Sequence, residues 1–258
     1  MESLRLNTER GKKIFFASDF HLGIPNPESS IEREKRIIHW IESIKNQASA
    51  IFLLGDLFDF WFEYHKAVPK GHVRFMGSLA QLTDQGIPVY VFTGNHDMWT
   101  FGYLERELGV KVFHNPIVLN TEKHRFLIGH GDGLGPGDSS YKVLKKIFVS
   151  PLARFLFSWI HPDLGISIAQ IWSKNSRISN QKKEEKYGAE EKEFLLTWCR
   201  EEEKKNHHDF YIFGHRHATM DLMAGPESRY LNLGEWVHGS TYAEYDGEQL
   251  SLKTYQPL

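Results

Sequence analysis

Five short apolar runs in this chain each end in side chains that bind metal ions. KIFFAS is followed by Asp19 and His21, and AIFLLG by Asp56 with Asp59 close behind. VYVFTG leads to Asn95-His96-Asp97, RFLIG to His130 and Asp132, and DFYIFG to His215 and His217. Imidazole, carboxylate and amide carbonyl, with no thiolate in the set, suit Mn²⁺, Fe²⁺ or Zn²⁺ better than a soft metal. The donors are Asp19, His21, Asp56, Asn95, His130, His215 and His217. If Asp56 is shared, two cations each receive four protein donors and keep open positions for water and substrate, as a hydrolytic centre requires. A single D-x-H or G-D after a strand is more often an exposed loop carboxylate. A lone buried histidine is more often a satisfied core residue. A whole series of such clusters, each in the same place relative to a strand, leaves little room for those readings.

The elements that must position these groups follow from the apolar pattern. The runs are short and rich in Phe, Ile, Val and Tyr, as in strands buried on both faces. Between the first two, SSIEREKRIIHWIESIK places Ile37, Ile38, Ile41 and Ile44 on one helical face, with Ser29 or Ser30 as the cap. Between the second and third, HVRFMGSLAQLTDQG repeats the helical period and Gly86 is placed to end it. Strand, helix, strand, helix, strand predicts β-α-β units. Ligands in such sheets collect at the carboxyl ends of the strands, so the clusters converge on one cleft. After DFYIFG the pattern changes: SRYLNLGEW, TYAEYDG and QLSLKTY alternate and predict an antiparallel meander.

Composition excludes several classes. With 258 residues the chain can bury a sizeable core. A net charge of −2 provides no global basic field for nucleic acid. The single cysteine, Cys199, cannot form an intrachain disulfide and suits a reducing compartment. The N-terminal MESLRLNTERGKK lacks the apolar run of a signal peptide, so a cytoplasmic protein is expected. Nothing calls for an obligatory protein partner.

The ordered set D-x-H, G-D, G-N-H-D, G-H and G-H-x-H, spanning Asp19 to His217, resembles the calcineurin-like metallophosphoesterases. The resemblance implies an α/β (α+β) fold, a two-sheet sandwich flanked by helices. It also implies a division of donors: Asp19, His21, Asp56 and His217 for one metal, Asp56, Asn95, His130 and His215 for the other. Two such cations would activate a water and clamp phosphoryl oxygens. His96 would then donate to a phosphate oxygen or protonate the leaving oxygen. Asp59 and Asp97 read as groups that orient the metal-binding side chains.

Longer stretches narrow the resemblance. SDFHLG, GDLFDFW, HGDGLGPGDSSYK and NSRISNQKK are similar to the UDP-2,3-diacylglucosamine pyrophosphatases of lipid A biosynthesis. Members of that family hydrolyse UDP-2,3-diacylglucosamine to lipid X and UMP. They typically use Mn²⁺ and work as peripheral membrane proteins at the cytoplasmic face of the inner membrane. On this resemblance Asn95, Asp138, Ser176, Asn180, Lys183 and His215 would contact substrate. Ser176, Asn180 and Lys183, at i, i+4 and i+7, would share one helix face. Well-known members carry Arg where this chain has His96, and a histidine can give up a proton that an arginine holds.

The domain division expected is a core of residues 1–138 and 206–258 with a helical insertion, a lid, over 139–205. Within it IFVSPLARFLFSWIHPDLGISIAQIW, from Ile147 to Trp172, is strongly apolar. Pro151, Arg154 and His161-Pro162-Asp163 interrupt it, so two helices joined near Pro162 are expected rather than a membrane span. Leu152, Phe155 and their neighbours would shelter acyl chains or dock on a bilayer, with Lys145, Lys146 and Arg154 near lipid phosphates.

Overall fold

The computed structural model describes residues 1–135, 139–171, 173 and 193–256. Strands β2 (Lys13–Ala17), β3 (Ala48–Leu54), β4 (Val89–Phe92) and β5 (Lys111–Phe113) run parallel. They are linked by helices α1 (Pro27–Ile44), α2 (Val73–Asp84) and α3 (Tyr103–Leu108). Strands β11 (Thr241–Tyr245) and β12 (Leu250–Thr254) extend this sheet antiparallel from β2. A second sheet is built from β1 (Glu2–Arg5), β6 (Ile117–Asn120), β7 (Arg125–Gly129), β8 (Phe210–Phe213), β9 (Thr219–Gly225) and β10 (Ser228–Leu233). The strand orders are β12-β11-β2-β3-β4-β5 and β1-β6-β7-β8-β10-β9.

The continuous apolar strands serve two cores at once, because successive side chains point to opposite faces. Ile14, Phe16, Phe52 and Leu54 pack between the sheets against Leu119, Phe126, Ile128 and Ile212. Phe15, Ala17, Ile51 and Leu53 turn the other way, under Ile37, Trp40 and Ile41 of α1 and Leu79 of α2. The cap of α1 is not Ser29 or Ser30 but Asn26, whose Oδ1 accepts from Ser29 N at 2.9 Å, with Pro27 opening the first turn. Ser30 instead accepts from Gly23 N at 2.7 Å and secures the loop after His21. Gly86 does end α2, at φ +79, with its N–H on Thr83 O and that of Ile87 on Leu82 O.

The expected meander is corrected. β11 and β12 pair, but β10 lies in the other sheet, parallel to β8 and antiparallel to β9. Alternation determines which side chains are buried, not which sheet buries them.

Between β7 and β8 the chain forms α4 (Ser139–Phe148), α5 (Pro151–Ser158) and α6 (162–171). The apolar stretch is therefore cut twice, at Ser150-Pro151 as well as at Pro162. Ser150 Oγ caps α5 from Ala153 N at 3.2 Å. No helix among the described residues is long and apolar enough to cross a membrane. Phe157, Ile166 and Ala169 hold α5 and α6 against Phe60, Phe62 and Tyr64 of the core. Helix α7 (Phe194–Glu203), within the span expected as insertion, packs on the second sheet instead. Its Leu195, Leu196 and Cys199 meet Leu127, Tyr211 and Tyr230.

Candidate metal centre

Every donor singled out in the sequence lies at the end of its strand, and the strands come from both sheets. β2, β3 and β4 bring Asp19, His21, Asp56 and Asn95; β7 and β8 bring His130, His215 and His217. The loops are tightly wound. Asp19, His21, Asp56, His215 and His217 all have positive φ, between 44° and 69°. Such backbone costs about 1–3 kcal/mol per residue and persists only where surrounding bonds enforce it. Those bonds are present: Asp19 N to Gly55 O at 3.0 Å, His21 N to Asp56 O at 2.9 Å, and Gly214 N to His130 O at 3.0 Å. Arg33, buried on α1, donates to the His21 carbonyl at 2.6 Å and also to that of Ile24.

The donor atoms form two groups that share Asp56. Asp19, His21, Asp56 and His217 offer atoms within 4.8 Å of one another, and so do Asp56, His130 and His215. His21 Nε2 and His217 Nε2 are 3.0 Å apart, and His217 Nε2 is 3.3 Å from Asp19 Oδ1. In the second group the Leu54 carbonyl, 2.8 Å from His130 Nδ1, takes the proton on that nitrogen. His130 Nε2 then faces Asp56 Oδ2 and Asn95 Oδ1, both acceptors, at 3.3 Å each. A proton or a metal ion must lie among three such lone pairs.

The electrostatics favour a cation. Asp19 and Asp56 are buried, which alone would raise their pKa, yet both are held well below the usual carboxylate range. Hydrogen bonds from His21 and His217 outweigh burial at Asp19, and the charges of His130 and His96 outweigh it at Asp56. His130 shows the same field from the other side. Burial would lower it, but Asp56 and then Asp19 push it up to about 10. Burial takes His215 down to about 4, so near neutral pH its imidazole has a free lone pair. The donor set thus fits divalent metal ions, with carboxylates and imidazoles turned inward.

Around these groups sit the residues read as orienters. Asp97 joins two loops, accepting from Leu57 N at 2.7 Å and from Gly94 N at 2.6 Å. Burial and the charge of Asp56 raise Asp97 to about 7. Asp59 lies between two rings, with Oδ1 3.8 Å from His21 Nδ1 and 3.7 Å from His96 Nδ1. His96 N donates to Asp56 Oδ1 at 2.9 Å, and its Nδ1 donates to the Asp59 carbonyl at 2.9 Å. His21, Asp59 and His96 also have donor atoms within 4.8 Å, but that carbonyl already claims the His96 proton.

A cleft opens from this point between core and insertion. Asp59, Asn95 and His96 form its polar floor. Phe60, Met98 and Trp99 form one wall, and Leu144 and Phe148 of α4 the other. The basic residues expected near lipid phosphates are partly turned inward. Lys145 pairs with Asp132 Oδ2 at 2.5 Å, and Arg154 stacks 3.7 Å over the Phe101 ring. The outward face is apolar: Leu152, Phe155 and Leu156 of α5, with Trp159 just past its end, are 57–77% exposed.

The chain is similar to known proteins in sequence and in structure. The calcineurin-like phosphoesterase family matches residues 12–219. The chain is 36% identical over 258 residues to the UDP-2,3-diacylglucosamine hydrolase of Porphyromonas gingivalis, covering 95% of this chain and 98% of that one. This chain is a calcineurin-like phosphoesterase of the UDP-2,3-diacylglucosamine hydrolase family. The Proteus mirabilis protein of the same name is 28% identical over 232 residues, covering 88% of this phosphoesterase and 92% of its relative. The solved structure of Yfce, a phosphoesterase from E. coli, aligns with a TM-score of 0.47 at 16% identity, covering 93% and 91% of the two chains.

The expected substrate contacts Asp138, Ser176, Asn180 and Lys183 lie outside the described residues, while Asn95 and His215 sit at the centre. Sequence reasoning missed Arg33, Glu193 and Ser173. Glu193 accepts from Arg216 Nε at 2.9 Å, bracing the turn that carries His215 and His217. Ser173 contacts Asp59 and His96. No local pattern marks these residues, because each acts on a partner brought close only by the fold.

Proposed function

We propose that this phosphoesterase hydrolyses the pyrophosphate of UDP-2,3-diacylglucosamine to lipid X and UMP, a step of lipid A biosynthesis. The observation that carries the reading is the junction of two donor groups sharing Asp56 with an apolar-walled cleft, in a chain of this family. The centre would hold two divalent ions, Mn²⁺ first among those its donors suit. Asp19, His21, Asp56 and His217 would hold one, and Asp56, Asn95, His130 and His215 the other. Bound there, such ions supply an activated water and neutralise phosphoryl charge.

The chain's own residues do the rest. Asn95 and His215 also border the phosphate position. His96, its Nδ1–H held by the Asp59 carbonyl, turns Nε2 to the cleft, and in its protonated form that nitrogen donates to a phosphate oxygen or to the leaving oxygen. Asp97 keeps the Asp56 and Asn95 loops in register. The walls of Phe60, Met98, Trp99 and Phe148 accept hydrocarbon, each buried CH₂ contributing about 0.8 kcal/mol. Asp138, Ser176, Asn180 and Lys183 are proposed for the sugar and phosphate. The exposed row on α5 is proposed to rest on the cytoplasmic face of the inner membrane, where a diacylated substrate resides.

The deciding experiment identifies the products formed by the Mn²⁺-loaded protein. UDP-2,3-diacylglucosamine should yield UMP and lipid X, and UDP-glucose should be a poor substrate. Turnover of bis-p-nitrophenyl phosphate alone would refute the lipid reading. His96→Ala should slow lipid turnover by about 10²–10⁴-fold with metal content unchanged.

A further inference from the structure

Ser173 belongs to the insertion, yet its hydroxyl is buried in the core of the site. Its Oγ lies 3.1 Å from both Asp59 Oδ1 and Oδ2 and 3.0 Å from His96 Nδ1. The Asp59 carboxylate itself stands 3.7 Å from that nitrogen, too far for a direct hydrogen bond. The carbonyl of Asp59, an acceptor only, lies 2.9 Å from Nδ1 and requires the proton there. The carbonyl thus places a proton on His96 Nδ1. His96 Nδ1–H donates to the carbonyl and to Ser173 Oγ, and the serine O–H donates to the Asp59 carboxylate.

We propose that Ser173 is a positioning residue that bridges Asp59 to His96. It holds the His96 ring in place and couples its Nδ1–H to the Asp59 carboxylate, and so ties a residue of the insertion to the group that meets the phosphate. The proposal rests on the reading of His96 as the group that meets the phosphate. Asp59 and His96 come from the core, and Ser173 follows α6, held down by Ile166 and Ala169.

The test is a double-mutant cycle in the Mn²⁺-loaded full chain, read as kcat and KM with UDP-2,3-diacylglucosamine and with bis-p-nitrophenyl phosphate. Ser173→Ala should lower kcat about 5–10-fold, the worth of one hydrogen bond, with KM within about 2-fold. In a His96→Ala background the same change should have no further effect, because the serine acts only through that ring. Ser173→Thr, which keeps the hydroxyl, should restore most of kcat. Separately, ¹⁵N-histidine NMR of the metal-free protein should show a protected Nδ1–H at His96 that exchanges faster in Ser173→Ala. Equal losses in both backgrounds, or a threonine variant as slow as alanine, would overturn the bridge. An unchanged kcat in His96→Ala alone would instead refute the role of His96, while the NMR signal would still report on the serine contact.

Discussion

Gly94 offers the sharpest steric test of the shared carboxylate. A Cβ at this position would stand 2.2 Å from Asp56 Oδ1 and 2.7 Å from Asp56 N. Gly94 is not in the left-handed region, so alanine brings no backbone strain of its own. Carbon and oxygen atoms in ordinary contact are about 3.4–4 Å apart, so the carboxylate must retreat by about 1 Å. Asp56 Oδ1 also receives His96 N at 2.9 Å, and Oδ2 faces His130 at 3.3 Å, so the shift disturbs both donor groups and the His96 loop. A displacement of about 1 Å at a reacting centre costs about 10²-fold in rate. Gly94→Ala should therefore lose about that much kcat/KM on bis-p-nitrophenyl phosphate with Mn²⁺, together with bound metal measured by mass spectrometry after dialysis. Gly77→Ala, in α2 with open space around it, should leave activity intact and stabilise the fold by about 0.5–1 kcal/mol. A Gly94→Ala protein with wild-type rate and metal content would refute the claim that Asp56 is held rigidly between two metal positions.

Two further outcomes are expected. Leu152→Asp and Phe155→Asp, at positions 68% and 57% exposed, should each weaken sedimentation with anionic lipid vesicles about 10-fold, as loss of 1–2 kcal/mol of apolar contact requires. The melting temperature and small-diester hydrolysis should not change; unaltered vesicle binding would discard the docking face. Far from the site, burial would raise Glu203, but hydrogen bonds from Tyr211, His207 and the His208 amide hold it down at about 2 against an ordinary 4.5. A depressed carboxyl contributes stability above the ordinary value and loses it as pH falls toward the folded one. Glu203→Gln should thus cost about 1–2 kcal/mol at pH 7 in urea unfolding, and the gap to wild type should close between pH 4.5 and pH 2. A gap that widens on acidification would contradict the assignment.

The sequence by itself determined the candidate donors, their order and their place after the strands, because metal-capable side chains and buried strands both leave local patterns. KIFFAS and AIFLL were legible as strands because they are too short for helices and rich in Phe, Ile and Leu. The cap of α1 went to Asn26 rather than to Ser29 or Ser30, a choice among neighbours that depends on Pro27 and on where Gly23 needs Ser30. Which sheet each strand joins was not legible. β10 and β11 are equally alternating, yet they lie on opposite sides of the inter-sheet core, because periodicity carries no information about partners. Nor was the bridge from Ser173, 77 residues beyond His96, or the brace of Glu193 on Arg216. Chemistry that needs a residue type at a strand end is written along the chain. Chemistry that needs two distant hydroxyl, imidazole or carboxylate groups within 3 Å exists only once packing has closed the distance.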